Sequence, residues 1–331
     1  MNSLAPRTVP LTFRSVAEPV PGPGWQGLFS SAWPAYRRWY LRDGAAARTG
    51  LQTCRRMLAT HMPELVPTWQ RLAELAGDDE LAAQMLTLYN PPPFMSGCSQ
   101  AVHLAGEPAL VRNYDYSPEL FEGVVLGSSF TGRRVVGTSD CLWGLVDGMN
   151  DAGLAVSLAF GGRTATGPGF GIPLVLRYLL EVCDTAGQAR EVLARLPVHM
   201  AYIVTVADRD GGYFTAFVGP ASEPVFTASP VAVNFEPAPG DENVAAPGSR
   251  VRHDLLAALA GDGDLDLEQL VTRFLEPPLH SGAYALGSGT LYTAVYRPGD
   301  LAIEYRWPGS SWKHSIGSFA SGRHEVLLGG D

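Results

Sequence analysis

The sequence predicts an α+β fold in which two antiparallel sheets pack face to face with helices outside them. Three observations predict it. The chain before Cys98 reads as mainly helical, short apolar segments bounded by turn residues follow, and pairs of helical segments separate the later groups of strands. Because each sheet or helix must bury its apolar face against another element, this order favours two layers of sheet between layers of helix.

The N-terminal part of the chain is predicted to be helical after a proline-rich start. Leu28–Leu51 is rich in aromatic residues, arginine and alanine, and Glu64–Leu86 has apolar residues at helical spacing, with Gly77-Asp78-Asp79 dividing this second stretch into two helices. Asn90-Pro91-Pro92-Pro93 then ends the helical region, because proline lacks a backbone N–H and fixes its own φ. We expect this stiff arm to hold the following peptide bonds in one position.

The remainder of the chain is predicted to alternate groups of strands and helices. The predicted strands are short and are bounded by turn residues; they are Cys98–Leu104, Pro108–Asn113, Gly123–Ser128, Arg134–Ser139, Leu142–Val146, Leu154–Ala159, Ala201–Ala207, Gly212–Val218, Val231–Asn234 and a final hairpin of Thr290–Tyr296 with Leu301–Trp307. The predicted helices share apolar positions at helical spacing; they are Pro173–Cys183, Ala186–Leu196, Arg252–Leu259 and Leu267–Phe274.

Composition limits the classes of function. A hydrophobic content of 46% in 331 residues is ample for a large core in one or two domains, and a formal net charge of −9 disfavours binding to nucleic acid or to an anionic membrane. No apolar run approaches the roughly 20 residues that span a bilayer, and no signal peptide is evident. The four cysteines have neither disulfide-framework nor zinc-site spacing, so no metal or other cofactor is indicated. We expect a soluble, cytoplasmic protein.

Cys98 is the strongest candidate for a catalytic residue. It lies in Ser96-Gly97-Cys98-Ser99-Gln100 and opens a strand whose hairpin partner ends in Arg112-Asn113-Tyr114-Asp115. The thiolate is the reactive form of cysteine, and a cationic neighbour favours it. If the bond before Cys98 is broken, the new α-amino group, with an ordinary pKa of about 7.7 to 8.0, can serve as the base. The pattern indicates a nucleophile inside a precursor, for which no histidine is required.

These motifs together resemble the autoproteolytic acyltransferase/hydrolase family of isopenicillin N acyltransferase, within the N-terminal-nucleophile (Ntn) hydrolases. More distantly, the chain is similar to choloylglycine hydrolases, penicillin V acylases and acid ceramidase. The resemblance covers most of the chain and rests on the order and spacing of its motifs, which are His61-Met62-Pro63-Glu64-Leu65 with Asn90 ahead of Gly97-Cys98, Arg112-Asn113-Tyr114-Asp115, Gly148-Met149-Asn150-Asp151-Ala152-Gly153-Leu154, Val233-Asn234-Phe235, Ser249-Arg250-Val251-Arg252 and Thr290-Leu291-Tyr292. It implies an Ntn-hydrolase αββα sandwich over residues 98–331, preceded by a helical prosegment over residues 1–97.

The resemblance also implies a reaction. Cys98 would first cleave the Gly97–Cys98 bond and then attack an acyl carbon, so that an acyl group passes from an amide or thioester to water or to an amine. Arg112 and Asp115 would orient the free α-amino group and balance the charge of the thiol. We expect the partners to be a small-molecule acyl donor and an amine acceptor. The prosegment should stay bound to the catalytic part after cleavage, because it would bury apolar surface against the sheets.

Four further residues enter through the resemblance. Asn234 resembles the oxyanion-hole asparagine of the family and Asn150 a second one, and such donors are typically worth about 3 kcal/mol each. For Asn150, a hairpin-turn residue is the competing interpretation. Arg252, or its neighbour Arg250, matches a further arginine of the catalytic site.

Two other hypotheses stay open at the level of sequence. The chain could remain uncleaved and use Cys98 as an internal thiol for biosynthetic transacylation. It could also be a binding member of the fold that has lost catalysis, since fold alone does not define function.

Overall fold

The computed structural model describes residues 8–93, 95, 97–235 and 247–329; residues 1–7 of the proline-rich start lie outside the described residues. The helices, in chain order, are α1 (Pro23–Tyr40), α2 (Leu51–His61), α3 (Val66–Leu75), α4 (Glu80–Leu86), α5 (Ile172–Val182), α6 (Ala186–Ala194), α7 (Pro247–Ala260) and α8 (Leu267–Phe274). The strands are β1 (Val9–Ala17), β2 (Gly97–His103), β3 (Ala109–Tyr116), β4 (Val124–Ser128), β5 (Val135–Asp140), β6 (Gly144–Asn150), β7 (Leu154–Phe160), β8 (Tyr202–Asp208), β9 (Tyr213–Val218), β10 (Val225–Thr227), β11 (Val231–Ala232), β12 (Gly289–Arg297), β13 (Ala302–Trp307), β14 (Ser310–Ser315) and β15 (Gly322–Leu328).

Within the described residues the strands form two sheets. The larger sheet has nine strands in the order β10-β9-β8-β7-β6-β5-β4-β1-β15, and the smaller has six in the order β11-β2-β3-β12-β13-β14. Neighbouring strands run antiparallel, apart from the parallel pair of β1 and β4. The inner faces meet where β2 and β3 pack on β7 and β8. Helices α5 and α6 cover the larger sheet, and α7 and α8 cover the smaller one, so the predicted two-sheet sandwich between helical layers is confirmed.

Inner strands such as β2 and β8 are buried on both faces, and this burial determines which residue types they contain. Strand β2 is buried from its second residue onward, and every residue of β8 is buried. Strands covered on both faces carry apolar residues on both, rather than alternating apolar with polar ones. Polar side chains that do occur on these inner strands are therefore conspicuous, because a buried polar group must find a partner.

The described residues of the predicted prosegment (1–97) belong to the same core as the rest of the chain. Strand β1 lies between β4 and β15 in the larger sheet and pairs with both. The indole of Trp25 in α1 donates to the Leu142 carbonyl at 2.9 Å, and the indole of Trp143 donates to the Leu86 carbonyl of α4 at 2.9 Å. The predicted prosegment is thus joined to the rest of the chain by a sheet strand and by buried side chains.

Tyr36 of α1 contacts a buried pair of carboxyl groups. Its hydroxyl donates to Glu122, lies 3.2 Å from Asp140 Oδ1 and accepts the backbone N–H of Cys141 at 2.9 Å. Burial and the neighbouring charge of Glu122 raise the pKa of Asp140 to about 7, and burial also raises the pKa of Glu122. The next two residues, Cys141 and Leu142, have left-handed φ values of 56° and 74°. The carboxyl pair therefore lies at a tight turn that the prosegment helps to hold.

The arm that leads to β2 is held by the loop before α5. The backbone N–H of Asn90 donates to the Gly169 carbonyl at 2.8 Å, and the Gly169 N–H returns a bond of 2.8 Å to Asn90 Oδ1. The Gly171 N–H donates to the Leu88 carbonyl at 2.7 Å. These bonds hold the start of the arm, at Leu88 and Asn90, against the loop before α5.

Most predicted elements are found within a few residues of their predicted bounds. The predicted helical stretch Leu28–Leu51 is an exception, because α1 ends at Tyr40, and α2 begins only at Leu51 and was not predicted as a separate helix. Four strands were not predicted: β1, β10, β14 and β15. The predicted hairpin of Thr290–Tyr296 with Leu301–Trp307 is present as β12 and β13. It is not the last element, because the chain continues into β14 and then returns across the molecule to pair β15 with β1. Among the described residues, none of the helices is both long and apolar enough to traverse a membrane.

Candidate active site

The nucleophile candidate lies on the first strand pair of the smaller sheet. Strands β2 and β3 pair so that Cys98 is opposite Tyr114 and Gln100 is opposite Arg112. Because side chains of paired residues share a face, Cys98 and Arg112 point between the two sheets. Asp115 is three residues from Arg112 and therefore lies on the opposite face of β3, towards α7. The two faces of this strand pair supply different groups to Cys98.

Arg112 contacts the sulfur directly. Its Nη2 donates to Cys98 Sγ at 2.8 Å, and both side chains are fully buried. The guanidinium lies 4.7 Å from the ring centroid of Tyr114 and 5.9 Å from that of Tyr292, within the range of cation–π attraction. A fixed cation at this distance stabilises negative charge on the sulfur. The predicted proximity of Arg112 and Cys98 is present in the structure.

Asp147 of β6 holds Arg112 in place. Arg112 Nη1 donates to Asp147 Oδ2 at 2.6 Å and to the Val146 carbonyl at 3.0 Å. Tyr292 and Tyr296 donate their hydroxyls to the same carboxylate at 2.6 and 2.5 Å. Burial by itself lowers the pKa of Arg112, but the neighbouring Cys98, Tyr292 and Asp147 outweigh burial and raise that pKa well above its usual value. Arg112 therefore stays charged.

The backbone of Cys98 is bound by a second group of residues. Its N–H donates to Asn234 Oδ1 at 2.9 Å, and its carbonyl accepts a bond of 3.0 Å from Arg252 Nη1. Arg252 also donates to Ser99 Oγ at 2.9 Å and, through Nη2, to Asn234 Oδ1 at 3.1 Å. The nitrogen that would become the α-amino group is thus held by Asn234, and Arg252 connects Asn234 to the nucleophile strand.

Asp115 reaches this site through Arg252. Its Oδ2 lies 3.2 Å from Arg252 Nη1, and its Oδ1 accepts the Thr290 hydroxyl at 2.6 Å. Burial raises the pKa of Asp115, while Arg252 and the Thr290 bond oppose that rise. A Cβ at Gly97 would lie 2.9 Å from Asp115 Cβ, so this position requires glycine.

The two arginine candidates of α7 differ in their contacts. Arg252 contacts Cys98, Ser99, Asp115 and Asn234. Arg250 is exposed, with its guanidinium 5.6 Å from the Phe235 ring centroid.

Asn150 has a structural role, which corrects its expected place in an oxyanion hole. Its Nδ2 donates both hydrogens, to the Leu180 carbonyl at 2.9 Å and the Cys183 carbonyl at 2.7 Å. Its Oδ1 accepts the N–H groups of Ala152 and Leu154 at 3.1 and 3.0 Å. With both amide hydrogens engaged, none is available to an oxyanion. Asn150 instead shapes the β6–β7 hairpin and anchors it to the end of α5.

Sequence reasoning missed Asp147 and Tyr296. Asp147 was detectable as a single carboxylate inside the apolar β6, a residue type that is rarely buried without a partner. Gln100 accepts the Ser157 hydroxyl across the two sheets, and among the described residues its buried Nε2 has no hydrogen-bond partner. In the part of the chain that the structure describes, no cluster of three or more His, Cys, Asp or Glu side chains could hold a metal ion.

This site can support acyl transfer to a thiol. A buried cysteine with a guanidinium on its sulfur, an asparagine on its nitrogen and a two-sheet sandwich around it define the class of the Ntn hydrolases. The chain belongs to the acyl-coenzyme A:6-aminopenicillanic acid acyl-transferase family, whose model matches residues 104–312. The matched range contains Arg112, Asp115, Asn234 and Arg252 and begins after Cys98.

Solved structures of related enzymes resemble the chain. A mutant conjugated bile acid hydrolase from Clostridium perfringens is 10% identical and aligns over 69% of this chain and 96% of its own, with a TM-score of 0.47. A Caenorhabditis elegans N-acylethanolamine-hydrolyzing acid amidase ortholog is 18% identical over 61% and 93%, with a TM-score of 0.45. Penicillin V acylase from Agrobacterium tumefaciens is 14% identical over 68% and 90%, with a TM-score of 0.43. A comparison with curated proteins found no match.

Proposed function

We propose that the chain is a self-processing cysteine Ntn amidohydrolase or acyltransferase. It cleaves its own Gly97–Cys98 bond and then transfers an acyl group from a small-molecule amide or thioester to water or to an amine, through an acyl-Cys98 intermediate. Membership of an acyltransferase family supports the reaction class. The observation that carries the proposal is the 2.8 Å bond from Arg112 to Cys98 Sγ in a buried polar site.

Self-cleavage would begin with attack of Cys98 Sγ on the Gly97 carbonyl carbon. The new S–C bond replaces the Gly97–Cys98 peptide bond, and the proton of the thiol passes to the leaving nitrogen. Water then hydrolyses the thioester, which leaves a carboxylate on Gly97 and a free thiol and α-amino group on Cys98. The absence of a side chain on Gly97 supports this step, because a Cβ at this position would lie 2.9 Å from Asp115 Cβ and displace the backbone that is attacked.

In the acyl-transfer reaction the α-amino group takes the proton of the thiol. It would be held by Asn234 Oδ1, which already accepts the N–H of this nitrogen at 2.9 Å. The Nδ2 group of Asn234, which donates to the Phe160 carbonyl at a long 3.4 Å in the continuous chain, is the donor that we assign to the oxyanion. Arg252 and Asp115 orient the backbone of Cys98. Arg112, which Asp147 holds in place, stabilises the negative charge on sulfur. The departing amine takes the proton, and water or an acceptor amine then releases the acyl group.

The burial of Cys98 favours cleavage over the uncleaved transacylase. In the continuous chain the side chain of Cys98 has no exposed surface, so an acyl donor cannot contact its sulfur. Release of the arm before Cys98 would open one side of the site.

Intact-mass analysis of the purified full chain tests this function. We expect two fragments, residues 1–97 and 98–331, and a single uncut chain for Cys98→Ala. Incubation with a panel of acyl amides and thioesters should add an acyl mass to the Cys98 peptide. Cleavage in Cys98→Ala, or acylation of an uncut chain at Cys98, would contradict the proposed mechanism.

A further inference from the structure

The hydroxyl of Tyr36 in α1 lies between the carboxyl groups of Glu122 and Asp140. A tyrosine hydroxyl has one hydrogen to donate. That hydrogen goes to Glu122, whose contact with the hydroxyl is the shorter of the two, while the oxygen accepts the Cys141 N–H at 2.9 Å. Asp140 Oδ1 lies 3.2 Å from the same oxygen. Two oxygen atoms attract each other at this distance when a hydrogen lies between them, so the geometry favours a protonated Asp140 that donates to Tyr36.

The donors around the two carboxyl groups indicate which of them carries the proton. Glu122 also accepts the Leu142 N–H at 2.7 Å and the Ser139 hydroxyl at 2.9 Å. Asp140 is 5% exposed, and its Oδ2 lies 3.4 Å from the Tyr114 hydroxyl, which is a longer and weaker contact. Hydrogen bonds to a carboxylate favour its charged form. Glu122 is therefore the carboxylate of the pair, and Asp140 is the acid.

Asp140 is the group of this cluster whose charge changes near neutral pH. Burial and the neighbouring Glu122 raise its pKa from 3.8 to about 7. Arg14 of β1 opposes the rise that burial causes in the pKa of Glu122. The other titratable groups that face the pair have pKa values raised by burial; they are Tyr36 of α1, Tyr114 and Tyr116 of β3, and Cys141. These four groups stay neutral between pH 5 and 8.

Helix α1 is attached to the two-sheet sandwich through few buried groups. Of its 18 residues, three are buried, namely Trp25, Phe29 and Tyr40. Pro34 lies inside the helix and lacks the N–H of one helical hydrogen bond. Elements with few buried contacts open locally at a lower free energy than the core does. The loss of one favourable contact at Tyr36 should therefore change how often α1 opens by a measurable factor.

Protonation of Asp140 and packing of α1 on the sandwich are linked. While α1 is packed, Asp140 is confined beside the Glu122 carboxylate and donates to Tyr36. When α1 opens, water reaches both carboxyl groups, and the pKa of Asp140 returns towards its ordinary value of 3.8. The packed state therefore binds the proton more tightly than the open state does. The resulting stabilisation of the packed helix is complete below pH 3.8 and is lost as pH rises through about 7.

We propose that the proton on Asp140 holds α1 on the sandwich, so that this helix opens more often as the solution changes from acid to neutral. The ionised Asp140 no longer donates to Tyr36, and its charge is repelled by the Glu122 carboxylate on the other side of the same hydroxyl. This device acts in the continuous chain and does not depend on the proposed reaction. In a cleaved protein it makes the N-terminal piece easier to release at neutral pH than at acid pH.

Amide hydrogen exchange of the purified full chain tests this inference, measured by mass spectrometry of α1 peptides at pH 5 and pH 8. The Cys98→Ala chain is used, because it stays in one piece whether or not the parent cleaves itself. Dividing each rate by the intrinsic rate at the same pH gives the opening constant of the helix. With pKa values of 3.8 in the open state and about 7 in the packed state, this constant rises by about 90-fold between the two pH values. We expect a rise of at least about tenfold in α1 and no comparable rise in α6, which covers the same sheet away from the carboxyl pair.

Two substitutions of aspartate by asparagine in this background separate Asp140 from other acids. Asp140→Asn keeps an N–H donor for Tyr36 and cannot ionise, so the opening constant of α1 should be low at both pH values. Asp43→Asn is the matched control, because Asp43 forms an exposed ion pair with Arg48 just beyond the end of α1 and should keep the pH dependence. If Asp140→Asn does not fold, Tyr36→Phe tests the same contact from the helix. It removes the acceptor of the proton, so the opening constant at pH 5 should rise towards its value at pH 8.

Equal opening constants of α1 at the two pH values, or a rise in α6 as large as that in α1, would overturn the proposal. The same conclusion would follow if Asp140→Asn kept the pH dependence of its background, or if Tyr36→Phe left α1 as protected at pH 5 as before. None of these outcomes concerns self-cleavage or acyl transfer, which Cys98→Ala cannot perform.

Discussion

Replacing Asp147 by asparagine tests how the buried charges of the site are balanced. The substitution keeps the size of the side chain but removes the charge that Arg112 contacts at 2.6 Å, and both groups have fully buried side chains. Removing one partner of a buried ion pair typically costs about 3–5 kcal/mol, because the other charge is left uncompensated. The hydroxyls of Tyr292 and Tyr296 also lose part of their acceptor.

We therefore expect Asp147→Asn to lower the free energy of unfolding by about 3–5 kcal/mol. Typical domains have about 5–15 kcal/mol in total, so the variant should be much less stable but still measurable. The assay is urea denaturation in a Cys98→Ala background, which keeps the chain in one piece. Asp151→Asn is the matched control. Asp151 pairs with Arg133 and Arg134 at the surface, and its loss should cost no more than about 1 kcal/mol.

A double-mutant cycle separates the ion pair from other effects of the substitution. Adding Arg112→Met to Asp147→Asn removes both charges, so the double variant should lose less stability than the sum of the two single variants. A loss for Asp147→Asn no larger than for the Asp151 control, or a cycle that is additive, would refute the role that we assign to this carboxylate.

Three further predictions concern pH, the cleavage position and the β6–β7 hairpin. Burial and the charge of Glu122 raise the pKa of Asp140 from 3.8 to about 7. The protonated group therefore contributes stability that is complete below pH 3.8 and is lost as pH rises through about 7. Asp140→Asn should flatten the resulting decrease in the urea midpoint between pH 5 and 8. Gly97→Ala brings a Cβ within 2.9 Å of Asp115 and should slow self-cleavage at least about tenfold on a denaturing gel, whereas Gly27→Ala, which meets no atom within 4 Å, should not. Asn150→Ala should lower the free energy of unfolding by about 2–4 kcal/mol and leave the alkylation rate of Cys98 within about twofold of the parent.

Each of the three has an outcome that contradicts it. If the urea midpoint of Asp140→Asn falls with pH as steeply as that of the parent, a group other than Asp140 causes the pH dependence. Equal cleavage rates for the two glycine variants would remove the steric argument. A large fall in Cys98 reactivity in the folded Asn150→Ala protein would restore the oxyanion role that its contacts contradict.

The groups on β2 and β3 could be predicted because they depend on local sequence. A hairpin of two strands places Cys98 and Arg112 on one face by alternation alone, and the structure has them in contact. The assignment of Asp115 to the same group ignored that alternation, and the structure places it on the other face with Arg252.

The remaining partners depend on contacts between distant segments. Asp147 belongs to the other sheet, so its approach to Arg112 follows from how two sheets stack, which one sequence does not reveal. Strand β1 has too many prolines nearby to be recognised, and it forms because β4 and β15 provide two edges for it. Asn150 lies in a motif that resembles the family, but its side chain holds the β6–β7 hairpin. The motif therefore identified the right segment of the fold and gave this residue the wrong role.

The place of β1 has a consequence for how the protein can be produced. This strand is an interior member of the larger sheet, although it precedes the proposed cleavage position by some eighty residues of chain. A C-terminal fragment expressed alone would leave β4 and β15 with open hydrogen-bonding edges on either side of a missing strand, and such edges promote aggregation. Recombinant work on the mature form therefore needs both pieces in one cell, and a synthetic peptide of residues 8–17 becomes a candidate for restoring the sheet in trans.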